Sequence, residues 1–182
     1  MNTDELTLMQ QLADPAQRRA AFTQLVGQFS EPLYWKVRHI VLNHDDANDI
    51  LQNVFLKAWN SLDVFRQESK ISTWLYRIAV NESLDFLRRQ KAASAVSADE
   101  QPSVANRLLA DEYFDGDQAQ AILQEAIALL PDVQRTVFTL RYYDEMKYAD
   151  ISRMLGTSEG ALKASYHLAM KKITEYVRLH QT

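Results

Sequence analysis

The stretch from Asp45 to Trp59 constrains the fold most strongly, because its side chains separate onto two sides of an α-helix. One broad face is apolar and contains Ala47, Ile50, Leu51, Val54, Phe55, Ala58 and Trp59. A narrow polar stripe lies opposite and contains Asp46, Asp49, Asn53, Lys57 and Asn60. Leu56 projects beside this stripe, and either His44 or Asp45 is expected to cap the helix. Ordinary solvation would explain the stripe, whereas an exposed leucine beside it is typical of a surface that binds a partner.

The composition favours a folded, all-α protein of one domain or two small ones. Among 182 residues, 47% are hydrophobic, four are glycine and four are proline, which favours helices over turn-rich β architecture. The lack of cysteine excludes disulfides, thiol catalysis and zinc–thiolate sites. The N-terminus is polar, and no stretch approaches the roughly 20 apolar residues that span a membrane. A cytoplasmic protein without membrane insertion is therefore expected.

Charge is distributed unevenly along the chain. Although the net charge is −4, residues 92–120 contain six acidic side chains and one basic one, while residues 36–91 and 121–182 each carry a small basic excess. This distribution permits contact with DNA without demonstrating it. Residues 92–117 are mostly small, polar and acidic and are predicted to form a flexible linker. The expected domains are residues 1–91 and 118–182.

Helical spacing of apolar residues recurs in both expected domains, and no alternating pattern predicts a strand. After a short amphipathic N-terminal turn or helix, helices are predicted to begin at Asp14-Pro15 and at Ser30-Glu31-Pro32. Another helix is predicted from about Ile71 to Gln90, and a helix of the second domain is predicted to end at Pro131. The apolar residues that mark this helix and the next one are Ile122, Ala126, Leu129, Val133, Val137 and Leu140.

A helix–turn–helix pattern occupies the end of the chain. Tyr148–Leu155 is predicted to be helical, Gly156 forms the turn, and Thr157-Ser158 begins a helix that runs to about Val177. The predicted inward residues of this last helix are Leu162, Tyr166, Ala169, Ile173 and Tyr176. The outward residues are Gly160, Ala161, Lys163, Ala164, His167, Leu168 and Lys171. Such a face suits the major groove of DNA, although an ordinary helical hairpin explains this local pattern about as well.

The helix from Ile71 offers a second candidate surface for nucleic acid. By helical periodicity, one arc of about 80° contains Thr73, Arg77, Asn81 and Arg88. Phe65 and Trp74 lie close to it in sequence, and aromatic groups beside basic and amide groups suit unpaired bases. Taken residue by residue, core aromatics and solvated charges explain these residues better.

An enzymatic interpretation rests on Asp45, Asp46 and Asp49, which could hold Mg²⁺ bound to a diphosphate. This motif resembles the aspartate-rich motif of prenyl-transferring enzymes, but it occurs once and the chain is short for a large helical cavity. The histidines show no metal-ligand spacing, and no nucleophile–base pattern stands out. Neither a metal, a cofactor nor a catalytic residue is predicted.

Three long blocks, in order, resemble a bacterial RNA polymerase sigma factor of the extracytoplasmic-function (ECF) type. They are DDANDILQNVFLKAW, FRQESKISTWLYRIAVNESLDFLRR and LPDVQRTVFTLRYYDEMKYADISRMLGTSEGALKASYHLAMKKI. The resemblance covers about residues 20–90 and 120–177. It implies two helical domains that bind core RNA polymerase and direct it to promoters, while the polymerase supplies phosphoryl transfer. The main alternative is a helix–turn–helix regulator that acts without polymerase.

The resemblance also implies a role for particular residues. Those expected to contact the β′ clamp helices are Asp46, Asp49, Asn53, Leu56 and Lys57, and the second domain is expected to meet the β flap. Those expected at the −10 element are Ser61, Phe65, Thr73, Trp74, Arg77, Asn81 and Arg88, with Ser61, Phe65 and Asn81 around a flipped base. Those expected at the −35 element are Gly160, Ala161, Lys163, Ala164, Ser165, His167 and Lys171.

Some features of the family pattern differ here. Ser165 and Leu168 stand where arginines are frequent, so the −35 contact is expected to be less electrostatic. The predicted linker of residues 92–117 can extend to about 90 Å, which exceeds the roughly 70 Å between the two promoter elements. An anti-sigma protein is expected as a further partner, because many members of the family are held inactive by one.

Overall fold

The computed structural model describes residues 3–65, 69–94 and 118–180, and every regular element within these ranges is a helix. The chain divides into two compact units, Met1–Gln90 and Lys91–Thr182, which are called unit 1 and unit 2 below. The predicted all-α fold class with two helical units is confirmed. No helix in the described ranges is long and apolar enough to cross a membrane.

Unit 1 consists of helices whose apolar stripes meet in one core. The elements are α1 (Thr3–Ala13), α2 (Arg18–Val41), α3 (His44–Ser61), a short 3-10 helix (Leu62–Val64) and α4 (Ile71–Ser94). The largest fully buried side chains of this unit are Leu25, Leu33, Val37, Ile40, Val54, Ile71, Leu75 and Val80. Helix α2 packs against both α1 and α3, so it forms the centre of the unit.

Helix α2 continues through Pro32, and the predicted break at Ser30-Glu31-Pro32 is wrong. Phe29 and Leu33 are buried on either side of the proline, on the stripe that α2 turns toward the core. Burial of two such side chains contributes about 3–6 kcal/mol, which offsets the roughly 3 kcal/mol that an interior proline costs. Pro32 itself lies on the exposed face, where water can reach the carbonyl that loses its donor.

The start of α3 also differs from the prediction. Leu42 ends α2 in the left-handed conformation, with φ of 65°, and Asn43 then caps α3 by accepting the Asp46 N–H at 3.0 Å. The cap is therefore neither His44 nor Asp45, because the extended conformation that a cap requires falls one residue earlier. At the other end, Trp59 lies on the predicted apolar face and meets the Phe22 ring edge to face, with ring centroids 5.0 Å apart, although 40% of the residue is exposed.

Unit 2 contains α5 (Gln118–Ala128), α6 (Asp132–Tyr142), α7 (Tyr148–Leu155) and α8 (Glu159–His180). One cluster of its core contains Ala126, Ile127, Leu130, Phe138, Ala169 and Ile173. Leu129 and Val133, two of the apolar residues that mark these helices in the sequence, are exposed. Because α5 ends at Ala128 and the chain then turns, with the Leu130 N–H bonded to the Ile127 carbonyl, Leu130 takes the inward position instead.

The guanidinium of Arg135 joins the end of α5 to the start of α6. The residue is 5% exposed, and its Nη1 donates to the Ala128 carbonyl at 2.8 Å and to the Leu130 carbonyl at 3.5 Å. Its Nη2 pairs with Asp132 at 2.9 Å. Burial lowers the pKa of Arg135, and the nearby Asp132 carboxylate opposes this effect. The side chain therefore supplies charged donors to carbonyls that the end of α5 leaves without helical partners.

The predicted linker is only partly covered by the described residues. Helix α4 continues through Ser94, so it is longer than predicted. The first three residues of the predicted linker, 92–94, are therefore helical. Residues 95–117, which carry most of the linker prediction, lie outside the described residues.

Candidate functional site

The outer stripe of α3, which comprises the polar stripe and Leu56, is exposed to solvent at most of its positions. Asp49, Asn53 and Leu56 are exposed, and the apolar side chain of Leu56 is the most unusual among them at 61%. Asp46 is only partly exposed. Burial and then the neighbouring Asp49 and Asp45 raise its pKa, while a hydrogen bond with the Gln90 side chain opposes the rise. The stripe therefore presents acid, amide and leucine groups from successive helical turns.

Lys57, predicted on the same stripe, forms an ion pair with Glu82 of α4. The Glu82 side chain is 8% exposed, whereas that of Lys57 is 57% exposed. A carboxylate buried to this extent needs a partner, because removing the lysine would leave an uncompensated charge. Lys57 thus has a structural role within unit 1, whatever else it contacts, and its replacement would disturb the fold as well as the surface.

A groove of about 390 Å³ lies between α3 and α4. Its lining residues are Lys57, Ser61, Ile78, Asn81, Glu82, Asp85 and Arg88. Three residues that the sequence predicted at the −10 element, Ser61, Asn81 and Arg88, therefore meet at one place. Asp85 pairs with Arg88, so the groove combines hydroxyl, amide, carboxylate and guanidinium groups that can hydrogen-bond the edge of a base.

Phe65 does not line this groove but stacks on Trp74, with ring centroids 4.6 Å apart and planes inclined by 29°. Both rings are partly buried, and Thr73 and Arg77 are exposed on the first turns of α4. Phe65 also borders a second cavity, of about 240 Å³, together with Met9, Leu12, Ala13, Arg18, Leu62 and Asp63. Five of the predicted −10 residues thus form two groups, three in a polar groove and two in an aromatic stack.

The sequence missed several residues that shape these two places. Glu82 and Asp85 line the groove, and Met9, Leu12 and Arg18 border the cavity beside Phe65. Helical periodicity could have placed Asp85 beside Asn81, since it follows four residues later, but it gives no such signal for the adjacent Glu82. Nothing in the local pattern indicated that the N-terminal helix approaches Phe65.

The helix–turn–helix has the predicted local geometry in unit 2. Gly156 ends α7 with φ of +65°, a conformation that glycine adopts without steric cost, and the Ser158 hydroxyl caps α8 by accepting the Ala161 N–H at 3.3 Å. The predicted −35 positions that are exposed are Gly160, Ala161, Lys163, Ala164, His167 and Lys171. Ser165 is half-buried. Small side chains at the start of α8 allow close approach, and the basic groups supply donors.

Two of the three aspartates that suggest a magnesium site in the sequence, Asp45 and Asp46, lie in the first turn of α3. Among the described residues, no three histidine, aspartate or glutamate side chains are grouped closely enough to hold a metal ion. The early aspartates act instead on the helix itself, since Asp45 and Asp46 lie in its first turn, where negative charge is favourable.

Two family models match the chain. The Sigma-70 region 2 model matches residues 25–93, and the Sigma-70, region 4 model matches residues 120–173. The chain is 29% identical over 167 residues to the ECF RNA polymerase sigma factor SigW of Bacillus subtilis, which covers 87% of this chain and 89% of SigW. It is 34% identical over 146 residues to the ECF RNA polymerase sigma factor SigM of Mycobacterium tuberculosis, covering 80% and 71% of the two chains.

A solved structure of similar fold is the sigma factor RpoE in complex with the anti-sigma factor NepR, from Bartonella quintana. The TM-score is 0.67 at 22% sequence identity, and the match covers 88% of this chain and 98% of that one. At this identity the likeness concerns the fold alone.

Proposed function

Because the chain belongs to the ECF family of RNA polymerase sigma factors, we propose that it binds core RNA polymerase and directs transcription initiation at specific promoters. In this proposal unit 1 binds the polymerase and captures the unpaired strand of the −10 element. Unit 2 reads the −35 element as duplex DNA. The proteins that it resembles are transcription factors rather than enzymes, and the polymerase would carry out the chemistry.

The polymerase would dock on the outer stripe of α3, against the β′ clamp helices. Asp49, Asn53 and Leu56 are exposed there, with Asp46 and Lys57 at the edges of the same surface. An apolar side chain surrounded by polar ones provides an anchor that can be buried at an interface while the polar groups around it exclude water. The β flap would be the corresponding contact of unit 2.

The unpaired strand would lie across the groove between α3 and α4 and the adjacent Phe65–Trp74 stack. Ser61 and Asn81 offer hydrogen bonds to a flipped base, and aromatic rings favour stacking with bases of any sequence. Thr73, Arg77 and Arg88 lie on exposed positions of α4, where guanidinium and hydroxyl groups can contact phosphates. The single observation that carries the proposal is the meeting of Ser61, Asn81 and Arg88 in one groove.

The N-terminal part of α8 would enter the major groove of the −35 element. Gly160, Ala161 and Ala164 present little bulk, and Lys163, His167 and Lys171 provide hydrogen-bond donors, with Ser165 at the edge of this face. Lys163 is 4.0 Å from Glu159, and its ammonium lies 5.7 Å from the centre of the Tyr148 ring. The Lys163 side chain is 61% exposed, so it can reach a phosphate or a base.

The proposal is tested by run-off transcription with core polymerase that lacks sigma factors, on the DNA upstream of the protein's own gene. A discrete transcript that requires the protein is expected. Binding to core polymerase is measured in the same reactions by co-elution. Binding without a transcript would point to a different promoter, whereas the absence of binding would contradict the proposal and favour a polymerase-independent regulator.

Replacing Asn81 by alanine is expected to reduce promoter opening about tenfold, the effect of losing one base contact of about 1.4 kcal/mol. Closed-complex formation should remain, because it depends on duplex contacts. Permanganate reactivity of thymines measures opening, and gel-shift at low temperature measures the closed complex. Gln24→Ala, which removes an exposed amide of α2 outside both proposed surfaces, is the matched control. Equal loss of both steps in Asn81→Ala would argue against base capture.

An anti-sigma protein is a further proposed partner. The related RpoE structure contains such a protein, NepR. Purification of this chain from uninduced native cells without any second small protein would count against the proposal.

A further inference from the structure

Two residues near the start of the chain, Glu5 and Arg18, contact residues that lie on either side of Phe65 in the sequence. Before Phe65, the Arg18 guanidinium pairs with Asp63 of the 3-10 helix at 2.8 Å. After Phe65, the Glu5 carboxylate accepts the backbone N–H of Ile71, the first residue of α4, at 2.9 Å. One long-range contact therefore lies before Phe65 in the sequence and another lies between Phe65 and Trp74.

The hydrogen bond to Glu5 replaces a side-chain N-cap that the residue before α4 cannot provide. The carbonyl of Lys70 accepts the Trp74 N–H at 3.1 Å, which places Lys70 at the N-cap position of α4. A lysine side chain has no hydrogen-bond acceptor, so it cannot satisfy the first N–H groups of the helix. The Glu5 carboxylate of α1 satisfies one of them, the Ile71 N–H, and also complements the helix dipole. The orientation of the first turn of α4, including Trp74, thus depends on α1.

Arg18 connects the end of α1 to the other side of the segment. Its Nε donates to the Leu12 carbonyl at 3.0 Å, while the same guanidinium holds Asp63. Leu12 and Met9 are almost completely buried, and both border the cavity beside Phe65. The buried side chains and the Arg18 guanidinium therefore hold α1 beside the cavity that Phe65 also borders.

We infer that α1 and Arg18 form a positioning brace, which holds the Phe65–Trp74 stack in the geometry that receives unpaired promoter DNA. The inference rests on the proposed function. The matched Sigma-70 region 2 model begins at residue 25, so the brace consists of residues outside it. Glu5 and Arg18 act through Ile71 and Asp63 and make no contact with DNA themselves.

The brace is tested with Glu5→Ala in a variant whose remaining tryptophan is Trp74. Trp35→Phe and Trp59→Phe produce this background, and both tryptophans are at least 40% exposed, so the changes are mild. Glu5→Ala is expected to increase acrylamide quenching of Trp74 and to reduce promoter opening about fivefold, the consequence of losing one charge-assisted hydrogen bond. Core binding should remain unchanged. Glu5→Gln retains an acceptor oxygen and is expected to restore most of both signals.

Glu31→Ala, an exposed glutamate of α2, is the control for loss of a surface charge in unit 1. Normal quenching and normal opening in Glu5→Ala would overturn the inference. So would an equal loss of core binding and opening that Glu5→Gln fails to restore, since that result indicates general damage to the fold. If the unsubstituted protein is folded but does not bind core polymerase, the proposed function fails, whereas normal quenching of Trp74 in Glu5→Ala overturns the inference alone.

Discussion

Replacing Leu56 by aspartate is expected to weaken binding to core RNA polymerase by at least about 30-fold, the effect of an interface hot spot of about 2 kcal/mol. Leu56 is exposed on α3 and lies between the polar residues of the proposed polymerase surface. The substitution removes the apolar anchor and introduces a charge that the interface would have to desolvate. The measurement is fluorescence anisotropy of labelled protein titrated with core polymerase.

Leu6→Asp is the matched control, because Leu6 is another exposed leucine of unit 1 but lies on α1. Both variants should retain the helical circular dichroism and the unfolding midpoint of the unsubstituted protein. Unchanged binding by Leu56→Asp would show that the polymerase does not dock on this stripe. Lys57 is a poorer probe, since its replacement leaves the buried Glu82 without its partner.

Arg135→Ala is expected to lower the free energy of unfolding of unit 2 by about 3 kcal/mol. The substitution removes the donor to the Ala128 and Leu130 carbonyls and the partner of Asp132. Because the Asp132 side chain is partly exposed, water can solvate it in the variant, which limits the loss of stability from breaking the ion pair. Urea unfolding followed by far-ultraviolet circular dichroism should show an earlier transition for the half of the chain that contains α5 to α8.

Tryptophan fluorescence provides an internal reference for this experiment. All three tryptophans, at positions 35, 59 and 74, lie in unit 1, so their unfolding transition should not move. Arg153→Ala is the control, because Arg153 also pairs with an aspartate three residues earlier but its side chain is 79% exposed. A shift in Arg135→Ala no larger than in this control would mean that the corner between α5 and α6 does not depend on the guanidinium.

The sequence predicted those parts of the fold that local periodicity determines. The faces of α3 and α8 follow from the spacing of their apolar residues, and the turn at Gly156 follows from glycine and the capping hydroxyl after it. The prediction at Pro32 was wrong because a local breaking signal was weighed without the burial of Phe29 and Leu33, which is a tertiary effect.

The candidate site shows the same division between local and long-range information. Asn81 and Arg88 could be placed on one helical arc from the sequence alone, and the structure adds Ser61 beside them. Neither the pairing of Lys57 with Glu82 nor the contact of Glu5 with Ile71 has a local signature, because each joins residues far apart in the chain. Only packing of the helices determines such contacts.

The Lys57–Glu82 ion pair belongs to two surfaces at once, because Lys57 lies at the edge of the outer stripe of α3 while Glu82 lines the groove. A ligand that attracts Lys57 leaves negative charge uncompensated in the groove, and a group that pairs with Glu82 releases Lys57 to the outer surface. If both places bind as proposed, occupancy of either one changes the affinity of the other. Thermodynamic linkage requires the two changes in binding free energy to be equal. One contact thus couples two binding equilibria without any displacement of a helix.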